Sequence, residues 1–390
     1  MMDEVENLLT RGVEKIYPSK EELEKVLRSG KKLKLYQGFD PSMPSLHLGN
    51  FAGVMKLRQF QKLGHEIIFL IGDFTAMIGD PDKLSVRKPL TREETRLNST
   101  NWKEQIKNII DFNGPNPAKL LYNSEWLDKV SFRDLIEITS KFTAQQMLER
   151  DMFQKRMSEG RPVYLHELLY PVAQAYDCVF MKVDLELAGN DQTFNALAGR
   201  TLMNALKGKD KFVMTTKLLV DAKGDKVGKT TGNALFLDST PESFFGGIMS
   251  FPDEVIGLSF ELLTEMSLEG IEEKIAPDPM GEKKHLAFEI VSLLWGEESA
   301  QKAKTEFENT FQKGLTPDNI PEVVMDSQEI ELTDLVAKVA NISLSESKRL
   351  INQGAIEIDT LPATDLHQKI TPKNGTVIKI GKTRFVKLKI

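Results

Sequence analysis

An almost wholly apolar run at residues 66–72 constrains the fold of this chain more than any other stretch. Its sequence is Glu-Ile-Ile-Phe-Leu-Ile-Gly, without the polar residue at every second position that marks a strand with one face in water. Such a run predicts a strand covered on both faces, as in a parallel sheet. Strand-like and helical stretches alternate around it, which predicts right-handed βαβ units and a doubly wound α/β sheet. Ligands then bind beyond the carboxyl ends of the strands.

The loop at residues 36–50 connects the first predicted strand, residues 31–35, to a helix. Prolines and a glycine mark a tight loop, and apolar residues then recur at helical spacing. His47, Gly49 and Asn50 therefore lie at a helix N-terminus, where backbone N–H groups and the helix dipole favour a bound phosphate. A loop whose histidine merely caps the helix is the alternative.

The composition is that of a folded intracellular protein with two or three domains. The chain has 390 residues, of which 41% are hydrophobic and 28% charged, and this balance argues against disorder. Its one cysteine, Cys178, cannot form an internal disulfide, which fits a reducing cytosol. The acidic N-terminus is unlike a signal peptide, and no apolar run approaches the roughly 18 residues that span a membrane. The histidines lack the spacing of metal ligands, so we expect no protein metal site.

Further elements follow from periodicity, helix caps and helix breakers along the chain. Helices are predicted over residues 3–30, 91–112, 131–159 and 165–177, and strands over residues 119–122 and 184–189. Residues 240–313 are predicted to be mostly helical and to form a separate domain, and residues 313–329 to be a linker. In the tail, helices are predicted over residues 333–339 and 345–354, and short strands over residues 355–358, 375–380 and 384–390.

The tail differs in charge from the rest of the chain. Residues 331–390 hold ten Lys and Arg against six Asp and Glu, whereas the whole chain has a net charge of −6. A basic tail on an acidic body predicts that the tail meets a polyanion. A solvated, lysine-rich edge strand is the alternative.

Two further patterns carry polar groups at regular spacing. Tyr170, Gln174 and Asp177 lie at i, i+4 and i+7, which places them on one face of one helix. That stripe is either a solvated surface or part of a small-molecule site. Lys226 and Lys229 flank a glycine in a cationic loop, a pattern that by itself indicates no more than surface.

Taken in order, these motifs resemble those of the class I aminoacyl-tRNA synthetases, and in particular of the bacterial tyrosyl-tRNA synthetases. The two short signatures are His-Leu-Gly-Asn at residues 47–50 and Lys-Val-Gly-Lys-Thr at residues 226–230. The longer similar stretches are residues 36–42, 78–81, 170–177 and 189–192. The tail is similar to a small RNA-binding domain shared with a ribosomal protein.

The resemblance implies three domains: a Rossmann-type catalytic domain with a doubly wound parallel sheet over residues 1–235, a helical anticodon-binding domain with its linker over residues 236–325, and a small α+β RNA-binding domain over residues 331–390. It also implies a cytoplasmic homodimer that does not enter membranes. This enzyme would activate tyrosine with ATP and pass it to the terminal ribose of tRNA(Tyr). Mg²⁺ would serve only as the counter-ion of ATP.

The same resemblance implies roles for individual residues. The groups that stabilise the phosphates in catalysis would be His47, Asn50, Lys226, Lys229 and Thr230. Further ATP contacts would come from Gly38, Asp40, Gly49, Gly189 and Asp191, and pyrophosphate contacts from Lys83 and Arg87. Tyr36 and Asp177 would bind the phenol of tyrosine, and its ammonium end would lie among Thr75, Asp80, Tyr170, Gln174 and Gln192. In the tail, RNA phosphates would meet Lys348, Arg349, Lys382, Arg384 and Lys387.

The chain departs from the family pattern in two motifs and one segment. Asn50 stands where the first motif usually has histidine; it keeps a hydrogen-bond donor but cannot be cationic, and we expect activity to survive. The second motif reads Lys-Val-Gly-Lys-Thr where many class I enzymes have Lys-Met-Ser-Lys-Ser. Residues 79–87 lack a glycine that is expected after the proline, so Lys83 is matched less securely than Arg87.

Three other functions compete with this interpretation. The related tryptophan enzyme shares the fold, but Tyr36 with Asp177 and the basic tail argue against it. An RNA-binding protein built on an inactive synthetase would have lost the ATP motifs, whereas His47, Gly49 and both lysines of the second motif are present. Another nucleotidyltransferase with the same first loop would not explain the tail.

Overall fold

The apolar run forms the strand Glu66–Ile71, inside a six-stranded sheet, and all of its residues except the first are buried. The sheet belongs to the first of the two compact units of the computed structural model, Met1–Ala300 and Gln301–Ile390. The structure describes residues 3–80, 90–221, 226, 234–312, 320–325, 328–381 and 384–390.

The central sheet is mixed rather than wholly parallel. Its strands are β1 (Val13–Tyr17), β2 (Lys34–Phe39), β3 (Glu66–Ile71), β4 (Lys119–Tyr122), β5 (Leu185–Gly189) and β6 (Phe212–Thr216). They lie in the order β1-β6-β5-β2-β3-β4. The pairs from β6 to β4 are parallel, whereas β1 runs antiparallel to β6 at the edge.

The edge strand β1 corrects the prediction of a continuous helical segment over residues 3–30. Two short helices, Glu4–Thr10 and Lys20–Arg28, flank this strand instead. Gly12, between the first of these helices and the strand, has a φ of +65°, and a Cβ there would lie 2.8 Å from Leu262. The glycine and Pro18 on the other side are breakers that bound a short strand.

Helices cover both faces of the sheet. Successive side chains of β2 point to opposite faces. On one face Gln37 meets the helix Leu48–Lys62, which approaches so closely that a Cβ on Gly53 would overlap the Gln37 amide. On the other face Tyr36 packs in one apolar cluster with residues of the helices Leu165–Met181 and Thr193–Lys207. The buried apolar strands therefore lie between two helical layers.

The first unit is otherwise helical. Its α-helices are α1 (Glu4–Thr10), α2 (Lys20–Arg28), α3 (Leu48–Lys62), α4 (Thr75–Ile78), α5 (Arg92–Ser99), α6 (Trp102–Ile106), α7 (Ser124–Leu127), α8 (Phe132–Thr139), α9 (Ala144–Leu148), α10 (Asp151–Ser158), α11 (Leu165–Met181), α12 (Thr193–Lys207), α13 (Pro241–Met249), α14 (Ile256–Leu263), α15 (Ile271–Ile275) and α16 (Pro279–Trp295). Short 3₁₀ turns lie at Asn190–Gln192 and Asp253–Val255. The helix α17 (Glu297–Phe307) crosses into the second unit and continues as the π-helix Glu308–Gln312.

The single long helix predicted over residues 91–112 is wrong, because α5 and α6 are separate. Ser99 and Thr100 lie at the break, and their hydroxyls donate to backbone carbonyls of the preceding turn. Such side-chain bonds compete with the helical pattern.

In its described residues the second unit contains a five-stranded sheet, a two-stranded sheet and two helices that follow the end of α17 and the π-helix. Its strands are β7 (Glu322–Val324), β8 (Ile330–Glu331), β9 (Ile356–Ile358), β10 (Leu361–Pro362), β11 (Lys369–Ile370), β12 (Val377–Ile380) and β13 (Arg384–Lys389). Five of them lie in the order β10-β9-β12-β13-β7, and β8 pairs with β11. The helices α18 (Leu332–Ala340) and α19 (Leu344–Asn352) complete the unit, and α18 supplies much of its apolar core.

One part of the predicted linker belongs to this second sheet. Within residues 313–329, β7 runs parallel to β13, with Glu322 opposite Lys387. The predicted domain start at residue 331 therefore omits one strand, while residues 313–319 lie outside the described part of the chain. The predicted boundary after residue 235 falls inside the first unit, and the division into three domains stays a prediction.

Among the helices of the described residues, none has the length and apolar character that crossing a lipid bilayer requires.

Candidate active site

A cleft of about 490 Å³ opens at the carboxyl ends of the parallel strands. It lies where β2 has β3 on one side and β5 on the other, which is the point where the strand order reverses and where α/β sheets bind ligands. The predicted site residues that line it are Tyr36, Gly38, Asp40, His47, Gly49, Asn50, Thr75, Asp80, Tyr170, Gln174, Asp177, Gly189, Asp191, Gln192 and Lys226. Four others, Lys83, Arg87, Lys229 and Thr230, lie outside the described residues.

His47 and Asn50 cap α3 reciprocally at the mouth of the cleft. The backbone N–H of Asn50 donates to His47 Nδ1 (3.2 Å), and the backbone N–H of His47 donates to Asn50 Oδ1 (3.0 Å). Since Nδ1 accepts, the ring proton of a neutral His47 resides on Nε2. Gly49 allows this arrangement, because a Cβ there would lie 3.0 Å from the His47 ring. The histidine therefore caps the helix and also lines the cleft.

Backbone hydrogen bonds join the first signature motif to the segment that follows the second motif in the sequence. Leu48 N donates to Leu235 O (2.9 Å), and Leu237 N donates to Leu46 O (2.8 Å). The chain that leaves the second motif therefore runs beside the first. At the start of the second motif, Lys226 Nζ pairs with Asp191 Oδ2 at 2.6 Å.

Tyr36 and Asp177 lie together on the sheet side of the cleft. Trp126 Nε1 donates to Asp177 Oδ1 (2.8 Å) and Asn123 Nδ2 to Oδ2 (3.2 Å). Burial raises the pKa of Asp177 well above its usual value, although both hydrogen bonds oppose the shift. The Tyr36 hydroxyl is buried without a hydrogen-bond partner in the described part of the chain. Burial raises the pKa of Tyr36, and the charge of Glu186 behind the cleft and then that of Asp177 raise it further, so the hydroxyl stays a neutral donor.

A second carboxylate, Asp40, is held by two hydroxyls. Tyr170 Oη donates to Asp40 Oδ2 (2.9 Å), and Thr75 Oγ1 donates to Oδ1 (2.6 Å). Burial raises the pKa of Tyr170, and the charges of Asp40 and Asp80 raise it further. Asn123 Nδ2 also donates to Thr75 (3.1 Å), which couples this group to Asp177.

The third carboxylate, Asp80, is paired with a cation that sequence reasoning missed. Arg150 Nη2 lies 2.7 Å from Asp80 Oδ1, and Gln192 Nε2 donates to Oδ2 (2.6 Å). Both charged side chains are largely buried. Each carboxylate oxygen has a second lone pair, so Asp80 can still accept a hydrogen bond from an ammonium group.

Sequence reasoning also missed residues that support the cleft from behind, among them Glu186, which accepts from Gln174 and pairs with Lys211, and only some of them could have been recognised. Asn123 directly follows β4, the position at which α/β sheets place ligand-binding side chains, so it could have been found. Glu186 is a charged residue inside the otherwise apolar strand β5, which is also a signal. Trp126, Arg150 and Lys211 have no pattern that distinguishes them from ordinary helix and loop residues.

The predicted RNA contacts lie in the second unit. Lys348 and Arg349 are exposed on α19, where Arg349 Nε donates to Glu346 (2.8 Å). Lys387 on β13 lies 3.9 Å from Glu322. Lys382 and the side chain of Arg384 lie outside the described residues.

No group of three or more His, Cys, Asp or Glu side chains among the described residues is arranged to hold a metal ion.

Comparisons with a family profile and with curated proteins indicate the same family for this chain. The sequence profile of the family described as "tRNA synthetases class I (W and Y)" matches residues 28–312. The chain is 40% identical to the tyrosine–tRNA ligase of Carboxydothermus hydrogenoformans, over 98% of this chain and 96% of that one. It is also 40% identical to the tyrosine–tRNA ligase of Thermotoga maritima, over 99% and 97%.

Solved structures agree in fold. A C-terminally truncated mitochondrial tyrosyl-tRNA synthetase of Coccidioides posadasii is 25% identical, with a TM-score of 0.65 over 78% of this chain and 92% of that one. The tyrosyl-tRNA synthetase of Archaeoglobus fulgidus, solved with L-tyrosine, is 23% identical, with a TM-score of 0.59 over 78% of this chain and 100% of that one. With the profile match and these identities, the chain belongs to the class I tRNA synthetases of the tryptophan and tyrosine family.

Proposed function

We infer that the chain is a tyrosine–tRNA ligase, which activates tyrosine with ATP and then transfers it to tRNA(Tyr). The observation that carries the choice of amino acid is the pairing of Tyr36 and Asp177 in the cleft, with the Tyr36 hydroxyl lacking any described partner. A phenol both donates and accepts a hydrogen bond, so it can donate to Asp177 and accept from Tyr36. The curated relatives are named for the same substrate.

Tryptophan satisfies this pair less well. An indole N–H only donates, so it could bond Asp177 but could not accept from the Tyr36 hydroxyl. That hydroxyl would stay buried without a partner, at a cost of about 1–3 kcal/mol. Phenylalanine would make neither of the two hydrogen bonds that the phenol makes to Tyr36 and Asp177. The cleft therefore favours a phenol over the other aromatic side chains.

The first step needs positioned charges rather than a general base. The tyrosine carboxylate is already ionised at neutral pH, and its oxygen attacks the α-phosphorus of ATP as the bond to pyrophosphate breaks. In our proposal His47 and Asn50 donate to the phosphates at the N-terminus of α3, and Lys226, Lys229 and Thr230 approach from the second motif. Each such donor typically contributes about 10²- to 10³-fold in rate.

The remaining groups complete the substrate sites in this proposal. Gly189 and Asp191 bind the ribose of ATP, with Gly38, Asp40 and Gly49 alongside, and Lys83 and Arg87 bind pyrophosphate. Asp80, Tyr170, Gln174, Thr75 and Gln192 surround the tyrosine ammonium. Mg²⁺ would accompany ATP as the counter-ion of its phosphates and would offset part of their charge.

The second step transfers the tyrosyl group to RNA. A hydroxyl oxygen of the terminal ribose attacks the tyrosyl carbonyl carbon, and AMP leaves. We propose that residues 236–325 recognise the anticodon and that the basic tail binds tRNA phosphates. Lys348, Arg349, Lys382, Arg384 and Lys387 are the candidate contacts, since cations that meet phosphates release counter-ions and so favour binding.

We also propose that the chain works as a homodimer. Exposed apolar side chains support this on the first unit: Phe132 and Ile136 on α8 are 77% and 57% exposed, and Leu165 at the start of the neighbouring α11 is 77% exposed. Large exposed apolar side chains on two helices that contact each other are typical of interaction surfaces. Sedimentation equilibrium of the wild type and of Phe132→Glu would test it, with a dimer expected only for the wild type.

Attachment of labelled amino acids to unfractionated bacterial tRNA tests the function as a whole. Tyrosine is expected to be attached and tryptophan not. Attachment of tryptophan would assign the chain to the sister activity within the family.

A further inference from the structure

Two charged residues lie buried behind the cleft without lining it. Glu186, on β5, and Lys211, just before β6, are each 1% exposed, and their side chains form an ion pair. Replacing a buried ion pair by apolar residues of similar volume is often neutral or stabilising. Stability alone therefore does not account for a charge pair at this place.

Glu186 is connected to the cleft through Gln174. Gln174 lines the cleft on α11, and its Nε2 donates to Glu186 Oε1 at 2.9 Å. Lys211 is an ammonium that only donates, and the carboxylate paired with it only accepts. The Gln174 amide consequently has one orientation, with its NH₂ toward Glu186 and its oxygen left for the cleft.

We propose that Glu186 and Lys211 are positioning residues, which hold the Gln174 amide with its oxygen toward the ammonium group of bound tyrosine. The proposal rests on the proposed function, because the ammonium belongs to that substrate. An amide oxygen accepts from an ammonium, whereas an amide NH₂ would turn its own hydrogens toward it. Donor and acceptor then alternate without conflict from Lys211 through Glu186 and Gln174 to the substrate.

Glu186→Gln reverses this alternation by the exchange of one oxygen for NH₂. Lys211 still only donates, so the new amide turns its oxygen to Lys211 and its NH₂ to Gln174. Gln174 must then turn its oxygen away from the cleft and present its NH₂ to the ammonium. We expect the Kd of L-tyrosine to rise about 10- to 100-fold, the loss of one hydrogen bond to a charged group.

An analogue without the ammonium is the internal control. 3-(4-Hydroxyphenyl)propionate keeps the phenol and the carboxylate of tyrosine, so it reports whether the rest of the cleft is intact. Its Kd is expected to change by no more than about threefold in Glu186→Gln, because it makes no bond to Gln174 and Glu186 affects its phenol only indirectly, through the neighbouring Tyr36. The same small change is expected for tyrosine when Glu186→Gln is made in a Gln174→Ala background, where the amide to be oriented is absent.

A second substitution should rescue the first. In Glu186→Gln/Lys211→Met no lysine requires the oxygen of the new amide, so this oxygen can turn to Gln174. Gln174 can then donate to it and again present its own oxygen to the ammonium group. Tyrosine affinity is expected to return to within about fivefold of the wild type. The melting temperature should follow the same order, because Glu186→Gln leaves Lys211 buried without its carboxylate and the double variant does not. A purely structural role predicts instead that two core substitutions weaken binding more than one.

A pair of variants without any buried charge keeps the test usable if Glu186→Gln does not fold. Glu186→Gln/Lys211→Met retains an acceptor for Gln174, and Glu186→Leu/Lys211→Met does not. The second is expected to bind tyrosine about tenfold more weakly than the first, with equal affinity for the propionate. Equal tyrosine affinity in this pair, or parallel losses for tyrosine and the propionate in Glu186→Gln, would overturn the proposal. A wild type that did not prefer tyrosine would instead contradict the proposed function.

Discussion

Replacement of Tyr36 by phenylalanine should stabilise the free protein and weaken its binding of tyrosine. The Tyr36 hydroxyl is buried and has no hydrogen-bond partner among the described residues. A buried polar group in that state costs about 1–3 kcal/mol, and Tyr36→Phe removes the group while the ring keeps its packing. We expect the free energy of unfolding to rise by about 1 kcal/mol in the absence of ligand, which is measurable by urea denaturation.

The same substitution should weaken the binding of tyrosine although it stabilises the free protein. Bound tyrosine loses one neutral hydrogen bond of about 0.5–1.5 kcal/mol, so its Kd rises about 2- to 12-fold. Phenylalanine loses nothing, and the preference for tyrosine over phenylalanine in pyrophosphate exchange falls by the same factor. Tyr176→Phe is the matched control, because this half-buried tyrosine on α11 does not line the cleft. The reasoning is refuted if Tyr36→Phe lowers the free energy of unfolding and leaves tyrosine affinity unchanged.

Three further predictions follow from other contacts. Asn123→Ala removes the donor to Asp177 and leaves buried groups unpaired, so we expect a loss of about 1–3 kcal/mol in unfolding free energy and a higher KM for tyrosine in exchange. Arg156→Met breaks the buried ion pair with Glu167 and should cost about 3–5 kcal/mol at pH 7. Burial opposes ionisation of Glu167, but the Arg156 hydrogen bonds prevail and lower its pKa below 4.5. This stabilisation is therefore complete above pH 4.5, and the difference between wild type and variant in chemical denaturation should shrink as the pH falls through the lowered pKa. Removal of residues 320–390, which includes β7 with its sheet, should leave pyrophosphate exchange unchanged and lower tRNA charging by at least about tenfold; equal loss of both would contradict it.

The sequence predicts best where one physical requirement acts alone. β3 is apolar throughout because it is covered on both faces, and a strand was the straightforward interpretation. The stripe of Tyr170, Gln174 and Asp177 was open to two interpretations, and the burial of Tyr170 and Asp177 excludes a solvated surface. In both cases the local pattern and the tertiary environment agree.

Prediction fails where a long-range contact decides. β1 is a strand because it pairs with β6 at the edge of the sheet. The short sequence of β1 lies between two helices and does not by itself predict a strand. β7 likewise depends on β13, more than 60 residues later in the chain. The ion pair of Glu186 with Lys211 and that of Asp80 with Arg150 join residues far apart in sequence, so no spacing rule could have predicted them.

The most direct test of phenol recognition is ATP–pyrophosphate exchange without tRNA, with L-tyrosine, L-phenylalanine and L-tryptophan compared as kcat/KM. Phenylalanine makes neither the hydrogen bond to Tyr36 nor the one to Asp177, so, among the described residues, the Tyr36 hydroxyl stays without a partner and Asp177 keeps only its bonds from Trp126 and Asn123. At about 1–3 kcal/mol for each missing bond, we predict a preference for tyrosine of roughly 10²- to 10⁴-fold. Exchange that is equal for tyrosine and phenylalanine, or faster with tryptophan, would contradict recognition through these two residues. Absence of exchange with every amino acid would contradict the proposed enzymatic activity. Asn50, which stands where the first motif usually has histidine, would then be the first residue to test.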